Sequence, residues 1–154
     1  MTELREGDQA PDFNLPSSGG GNVSLHDLAG GDVILYFYPK DDTSGCTKEA
    51  CSFRDAHPVF EDADAVVLGV SPDDVASHDR FAAKYSLPFT LLADTDRSVA
   101  EAYGVWKERS AYGKTFMGIE RSTFLIGGDG RIKKVWRQVK PDVHVKEVLQ
   151  AVAS

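Results

Sequence analysis

The two cysteines of this chain, Cys46 and Cys51, are the residues best suited to do chemistry. Cys46 follows an apolar run, residues 33–38, and a polar turn that ends in Gly45. This order predicts a buried strand, a turn and a helix that begins beside the cysteine. Free backbone N–H groups and the helix dipole stabilise an anion at a helix start, so we expect a lowered pKa for the Cys46 thiol. Because the thiolate is the nucleophile, the sequence indicates chemistry on sulfur.

The alternative for each cysteine is a small buried hydrophobic residue, as many free cysteines are. For Cys46 we expect the reactive role, because a helix start that follows a strand is a surface turn. For Cys51, taken alone, a position in the core is the better expectation.

The spacing of the two cysteines restricts how they can react with each other. On an ideal helix it corresponds to about 7.5 Å of rise and roughly 140° of rotation. A disulfide needs Cα atoms within about 7 Å and converging Cβ vectors, so the sulfurs cannot bond while the helix is intact. If the pair cycles between thiols and a disulfide, the helix must unwind locally each time.

Two other residues of the polar turn have open roles. Thr43 is by default a helix cap, but its hydroxyl could also point at the Cys46 sulfur or at a substrate. Pro39 either shapes the turn or shields the sulfur from water.

The elements that position these residues follow from the apolar pattern. Strands are predicted at residues 33–38, 65–70, 91–92, 123–126 and 132–136, and a small hairpin within residues 10–25. Helices are predicted from Cys46 onward and around residues 75–85, 97–103 and 145–152. Pro58 must kink or end the first helix near His57. The alternation predicts a three-layer α/β fold with a mixed central sheet flanked by helices, and without linkers or repeats we expect a single domain over residues 1–154.

Composition argues against several classes of function. The net charge is -7, and the Lys133-Lys134 pair is the longest basic run, so nucleic acid and anionic membranes are poor candidates as partners. The first residues do not resemble a secretory signal, and no apolar stretch has the length of a membrane span. We therefore expect a cytoplasmic protein, in which two nearby cysteines are more often catalytic or metal-binding than a permanent disulfide.

Several of these residues together resemble the active-site pattern of a known family. The spacing PxxxTxxC of Pro39, Thr43 and Cys46 resembles the active-site motif of the peroxiredoxins, and the Cys-x4-Cys pair is similar to that of the peroxiredoxin Q or bacterioferritin comigratory protein subgroup. The similarity extends over five segments in order: residues 7–13 (GDQAPDF), 45–51 (GCTKEAC), 67–71 (VLGVS), 102–105 (AYGV) and 118–126 (GIERSTFLI).

The resemblance implies a thioredoxin-like fold and a thiol peroxidase that reduces hydrogen peroxide and organic hydroperoxides. It implies that Cys46 is the peroxidatic cysteine and that Cys51 resolves its sulfenic acid to an intramolecular disulfide. Thr43 would be a hydrogen-bond partner of the peroxide, Pro39 a shield and Arg121 the cation beside the thiolate. A guanidinium suits that role because it keeps its proton and presents several donors.

Arg121 also precedes residues 123–126, which we expect to form a strand beside the cysteine turn. Thioredoxin or a similar dithiol would reduce the disulfide, and no metal, haem or flavin cofactor is called for. We expect a monomer, because a permanent contact would hinder the helix that has to unwind. The preferred hydroperoxide would depend on the pocket near residues such as Trp106 and Phe116.

Three alternatives stay open at this point. A thiol-disulfide oxidoreductase acting on proteins usually has a CxxC pair, whose spacing is shorter. A zinc site could use Cys46, Cys51 and His57, but structural zinc usually has four ligands. The other histidines, which lie in separate predicted elements and which we expect to be ordinary surface residues, are His26, His78 and His144. The third alternative is a redox-inert scaffold that only binds partners.

Overall fold

Strands and helices alternate along most of the chain in the computed structural model, which describes residues 4–140 and 144–153. The strands are β1 (Asn14–Pro16), β2 (Asn22–Ser24), β3 (Asp32–Phe37), β4 (Ala65–Ser71), β5 (Thr90–Ala93), β6 (Trp106–Ala111), β7 (Lys114–Ile119), β8 (Ser122–Ile126) and β9 (Ile132–Arg137). The α-helices are α1 (Ser44–Asp62), α2 (Val75–Tyr85), α3 (Ser98–Ala102) and α4 (His144–Ala153).

Strand β3 lies at the centre of a five-stranded mixed sheet with the order β5-β4-β3-β8-β9. It pairs in parallel with β4 and antiparallel with β8, and β5 and β9 form the edges. A strand with neighbours on both sides and helices over the sheet is buried on both faces, which explains its continuous apolar sequence. The predicted mixed sheet is confirmed.

Alternate residues of β3 enter two different cores. Ile34 and Tyr36 face the cluster that contains the apolar side of α1, together with residues of α2 and α4. Leu35 and Phe37 face the cluster that contains residues of α3 and of the N-terminal hairpin β1–β2. The sheet therefore separates two layers, as the three-layer prediction requires.

Helix α1 begins directly after Thr43 and continues to Asp62, passing through Pro58. Of the two outcomes expected at Pro58, a kink or an end near His57, the end is therefore wrong. Pro58 lies on the exposed side, whereas Phe60, two residues later, is fully buried. Burial of the Phe60 ring stabilises the final turn and offsets the hydrogen bond that proline cannot donate.

The hairpin β6–β7 is not predicted from the sequence. Its two strands pair from Trp106 with Ile119 to Ala111 with Lys114. The turn residues Tyr112 and Gly113 both have positive φ, as a type I′ turn requires. Among residues 4–140 and 144–153, no helix has both the length and the apolar character needed to cross a membrane.

Candidate active site

Cys46 lies in the first turn of α1, as predicted, because Thr43 occupies the N-cap position. Its side chain is not at the surface: Cys46 is only 1% exposed and belongs to the core cluster between α1 and the sheet. The expectation of a surface turn is therefore wrong for this residue. The first turn of α1 already packs onto the sheet, so the sulfur faces inward rather than toward solvent.

Arg121 contacts the Cys46 sulfur directly. Its Nη2 donates to Cys46 Sγ at 3.2 Å, and its Nη1 donates to Glu49 Oε1 at 2.8 Å. Arg121 immediately precedes β8, which pairs with β3, and this pairing brings it to the start of α1 across 75 positions of sequence. Burial lowers the pKa of Arg121, but the charges of Glu49 and Cys46 outweigh it and the net direction is upward. The guanidinium thus stays charged beside the sulfur.

Glu49 is a site residue that the sequence reasoning missed. It is fully buried, and of its two carboxylate oxygens Oε2 has no hydrogen-bond partner among the described residues. Burial raises the pKa of Glu49 to about 7, against the opposing effect of Arg121. Its position was a usable signal: it stands three residues after Cys46, next to the buried stripe of α1, where an acidic residue needs a partner.

Cys51 lies further along α1 and is half-buried. Both cysteines are free thiols, and the helix is continuous from one to the other. Their arrangement agrees with the spacing argument, in which an intact helix keeps the sulfurs from bonding.

The two turn residues are both exposed. Thr43 holds the N-cap position, which confirms the default expectation of a helix cap, although its side chain makes no capping hydrogen bond. Its hydroxyl donates to the Lys40 carbonyl at 3.0 Å, and its own carbonyl accepts from the Thr47 N–H at 2.8 Å. Pro39 lies in the same turn, beyond the end of β3. The roles of Thr43 and Pro39 toward a peroxide stay predictions.

A polar cleft of about 400 Å³ lies against Arg121. Its lining consists of Lys107, Glu108, Arg109, Ser110, Glu120, Arg121, Gln138 and Val139. Neither Trp106 nor Phe116 lines this cleft, although a substrate pocket was expected near them. Its lining holds three cations and two carboxylates, and Lys107 pairs with Glu120 at 3.1 Å, so the approach to Arg121 on this side favours polar molecules.

The histidines do not gather around the cysteines in the described part of the chain. His57 pairs with Glu61 through a contact of 2.9 Å. His78 and His144 are fully buried, so the expectation that both lie at the surface is wrong. In residues 4–140 and 144–153, the group of close metal-type ligands is Asp41, Asp73 and His78, and it includes neither cysteine. This geometry gives no support to a zinc site at Cys46.

His144 lies at the start of α4, where its Nε2 contacts Thr123 Oγ1 at 2.7 Å. Burial and, to a smaller extent, Arg121 lower its pKa to about 4. A neutral imidazole therefore occupies this position near neutral pH, and Arg121 remains the charged group beside Cys46.

Comparison with known proteins gives consistent results for sequence and structure. The family model described as AhpC/TSA family matches residues 6–135. Peroxiredoxin Bcp of Bacillus subtilis is 52% identical over 146 residues, which covers 95% of this chain and 93% of that protein.

Two solved structures extend this similarity to the fold. The bacterioferritin comigratory protein of Xanthomonas campestris, described in connection with its alkyl peroxide reduction activity, matches with a TM-score of 0.88 and 44% identity, covering 92% of this chain and 90% of that one. A cysteine-to-serine mutant of PrxQ from Xylella fastidiosa matches with a TM-score of 0.93 and 41% identity, covering 99% and 98%. These matches confirm the thioredoxin-like fold that the resemblance implied. The chain therefore belongs to the AhpC/TSA family and is a peroxiredoxin, a peroxidase that works through cysteine thiols.

Proposed function

We propose that Cys46 is the peroxidatic cysteine and that the protein reduces hydrogen peroxide and organic hydroperoxides. The observation that carries this proposal is the 3.2 Å contact between Arg121 Nη2 and Cys46 Sγ in a nearly enclosed site. The alkyl peroxide reduction activity ascribed to the Xanthomonas campestris relative supports the wider substrate class.

In the first step the Cys46 thiolate attacks the terminal oxygen of the hydroperoxide. The S–O bond forms as the O–O bond breaks, and the leaving oxygen takes a proton to become water or an alcohol. The sulfur is oxidised to a sulfenic acid. Negative charge moves from sulfur to the leaving oxygen, and Arg121 can stabilise it at both positions because its guanidinium presents several donors.

In the second step Cys51 attacks the sulfenic acid sulfur, water leaves and an intramolecular disulfide forms. This step needs local unwinding of α1, for the reason of geometry given above. Thioredoxin or a similar dithiol then reduces the disulfide. We further propose that Thr43 hydrogen-bonds the peroxide, that Pro39 shields the sulfur, and that the chain acts as a single-domain monomer in the cytoplasm.

The test is peroxide-dependent NADPH oxidation in the presence of thioredoxin and thioredoxin reductase. Cys46→Ser is expected to lose activity by about 10³-fold or more, because the nucleophile is gone. Cys51→Ser is expected to consume one equivalent of peroxide and then to stall unless a small thiol is added. Full thioredoxin-coupled turnover by Cys46→Ser would refute the proposal. Insulin reduction faster than peroxide reduction would instead favour a protein thiol-disulfide oxidoreductase.

A further inference from the structure

A buried polar pair lies just before the active-site helix, outside the contacts that the proposed chemistry uses. Asp41 is 7% exposed and His78, in α2, is fully buried. Their contact, His78 Nδ1 to Asp41 Oδ2, is 2.7 Å long. Asp41 also accepts hydrogen bonds from Tyr38 Oη at 2.6 Å and from Ser77 Oγ at 2.8 Å. The Asp41 carboxylate is thus tied to two elements at once, the end of β3 and α2.

The hydrogen positions of this pair follow from its partners. His78 Nε2 contacts the Leu92 carbonyl oxygen at 2.9 Å, and a carbonyl can only accept, so Nε2 carries a hydrogen. One further proton then lies between His78 Nδ1 and Asp41 Oδ2. Whichever atom holds it, the pair as a whole has no net charge, which permits its burial. Removing either partner would leave the other buried without compensation.

The pair fixes the turn that leads into the helix. The Asp41 N–H donates to Asp73 Oδ2 at 2.8 Å, and Asp73 is itself held by Ser71 Oγ at 2.6 Å. The next residue, Asp42, has a left-handed backbone with φ of 58° and accepts from Lys84 Nζ at 2.7 Å. The turn is therefore fastened to the end of β4 and to α2 immediately before α1 begins.

We propose that His78 is a positioning residue for Cys46: through Asp41 it holds the turn in the conformation that keeps the first turns of α1 wound. The clamp, defined here as Asp41, Ser77 and His78, opposes the unwinding that Cys51 needs to reach the Cys46 sulfenic acid. It thereby sets the rate of the second chemical step separately from the first. This inference rests on the proposed function, in which Cys51 is the resolving cysteine.

The clamp has a quantitative consequence for the two steps. Most molecules have the first turns of α1 in helical form, the wound form, and few have them unwound. Weakening the clamp therefore multiplies the small unwound population, while the wound population falls by only a small fraction. Disulfide formation, which proceeds from the unwound form, should accelerate. The first oxidation, which needs the wound form, should change little. A residue with a purely structural role would slow both steps together.

The experiment compares His78→Leu and Asp41→Asn with the parent protein. Hydrogen exchange is followed at the amides of residues 44–50, the first oxidation is measured by rapid mixing with peroxide in a Cys51→Ser background, and disulfide formation is measured in the two-cysteine protein. Each variant is expected to exchange and to form the disulfide about tenfold faster, with the first oxidation within about threefold of the parent. Ser77→Ala removes a single hydrogen bond to Asp41, and we expect the same direction with a smaller change.

His57→Asn is the matched control, since it removes a histidine–carboxylate contact near the other end of α1 and should leave all three measurements unchanged. Unchanged exchange and disulfide formation in Ser77→Ala and in the folded clamp variants would overturn the proposal. So would a parallel fall of both chemical rates. If hydrogen exchange accelerates in the variants but the parent protein forms no disulfide, the proposed resolving role of Cys51 is refuted, whereas the proposed effect of the clamp on α1 is supported.

Discussion

The two halves of helix α1 are held to the protein in different ways. The N-terminal half, residues 44–51, is tied by polar contacts from Arg121 to Cys46 and Glu49, and apart from Glu49 the side chains that it buries, Cys46 and Ala50, are small. The C-terminal half, residues 52–62, is anchored by the fully buried rings of Phe53 and Phe60. The Phe53 ring stacks on Tyr36 with centroids 4.7 Å apart and lies 6.0 Å from the Phe60 ring.

This difference decides which half can open. When a polar contact opens, water replaces the lost hydrogen bonds, and the net cost in free energy is small. When a buried aromatic ring becomes exposed, it loses the free energy of burial, about 25 cal/mol for each Å² of apolar surface. Local opening therefore costs less in the N-terminal half. The half that carries Cys46 is therefore the half that we expect to unwind, while the aromatic half keeps the helix attached to the sheet.

The largest expected effect is on the aromatic half. Phe53→Ala removes a fully buried ring that contacts several others, and we expect the free energy of unfolding to fall by about 3–5 kcal/mol. Urea denaturation measures this change. Val59→Ala, on the exposed side of the same half, is the control and should change stability by less than about 0.5 kcal/mol. Equal effects of the two variants would mean that this half is not anchored by its aromatic face.

A second variant tests the polar half. Arg121→Met keeps a long side chain but loses the donors to Cys46 and Glu49, and we expect the rate constant for peroxide with Cys46 to fall about 10²-fold to 10³-fold. Rapid mixing in a Cys51→Ser background isolates this step. Arg109→Met is the control, because Arg109 lines the same cleft but donates to the Ile119 carbonyl. A similar loss in both variants would point to the charge of the cleft rather than to the contact with sulfur.

The local features of this site could be predicted from sequence, and the long-range ones could not. Cys46 in a first helical turn follows from the order strand, turn and helix, all within neighbouring residues. The burial of Cys46 and the packing of His78 depend on how α1 and α2 lie on the sheet, which local spacing does not report. Arg121 entered mainly through the family resemblance, because its place before a predicted strand indicates the neighbourhood of the cysteine turn but not the contact with a sulfur 75 residues away.

Two features of α1 that the sequence did not predict, its continuation past Pro58 and the burial of Glu49, have the same kind of physical cause. Helix α1 continues beyond Pro58 because Phe60 reaches the core. A sequence prediction at a proline considers only its local effect on the helix and does not include such a contact. Glu49 borders the apolar stripe of α1, but the sequence does not show the Arg121 guanidinium that makes its burial possible. In both cases tertiary contacts outweigh the local preference of the residue.

The third prediction concerns the pH dependence of the polar half. In the folded protein, burial raises the pKa of the Glu49 carboxyl from its ordinary value of 4.5 to about 7. The folded state thus binds a proton more tightly than the unfolded chain. The contribution of the protonated Glu49 carboxyl to stability is complete below pH 4.5 and is lost as the pH rises toward and through 7, by about 3 kcal/mol.

Glu49→Gln is expected to remove this part of the pH dependence, so that its stability falls less than that of the parent between about pH 5 and pH 8. Urea denaturation across this range measures the slope. Glu147→Gln, at an exposed position of α4, should keep the slope of the parent. If the slope persists in Glu49→Gln, another group titrates in this range and the polar half does not carry the effect.

The smallest expected effect comes from a substitution at Pro58, which should change the stability of α1 without changing how often its N-terminal half opens. Pro58→Ala restores a backbone donor within the C-terminal half, at an exposed position where no packing is lost. The gain in helix stability exceeds the loss from a more flexible unfolded chain, so we expect a net stabilisation of about 1 kcal/mol. Pro88→Ala, at an exposed position between α2 and β5, should instead destabilise by about 0.4–1 kcal/mol. Disulfide formation between Cys46 and Cys51 should keep its rate in Pro58→Ala, because the opening half lies upstream of the change. A slower disulfide step would mean that α1 unwinds as one unit, and the distinction between its two halves would not hold.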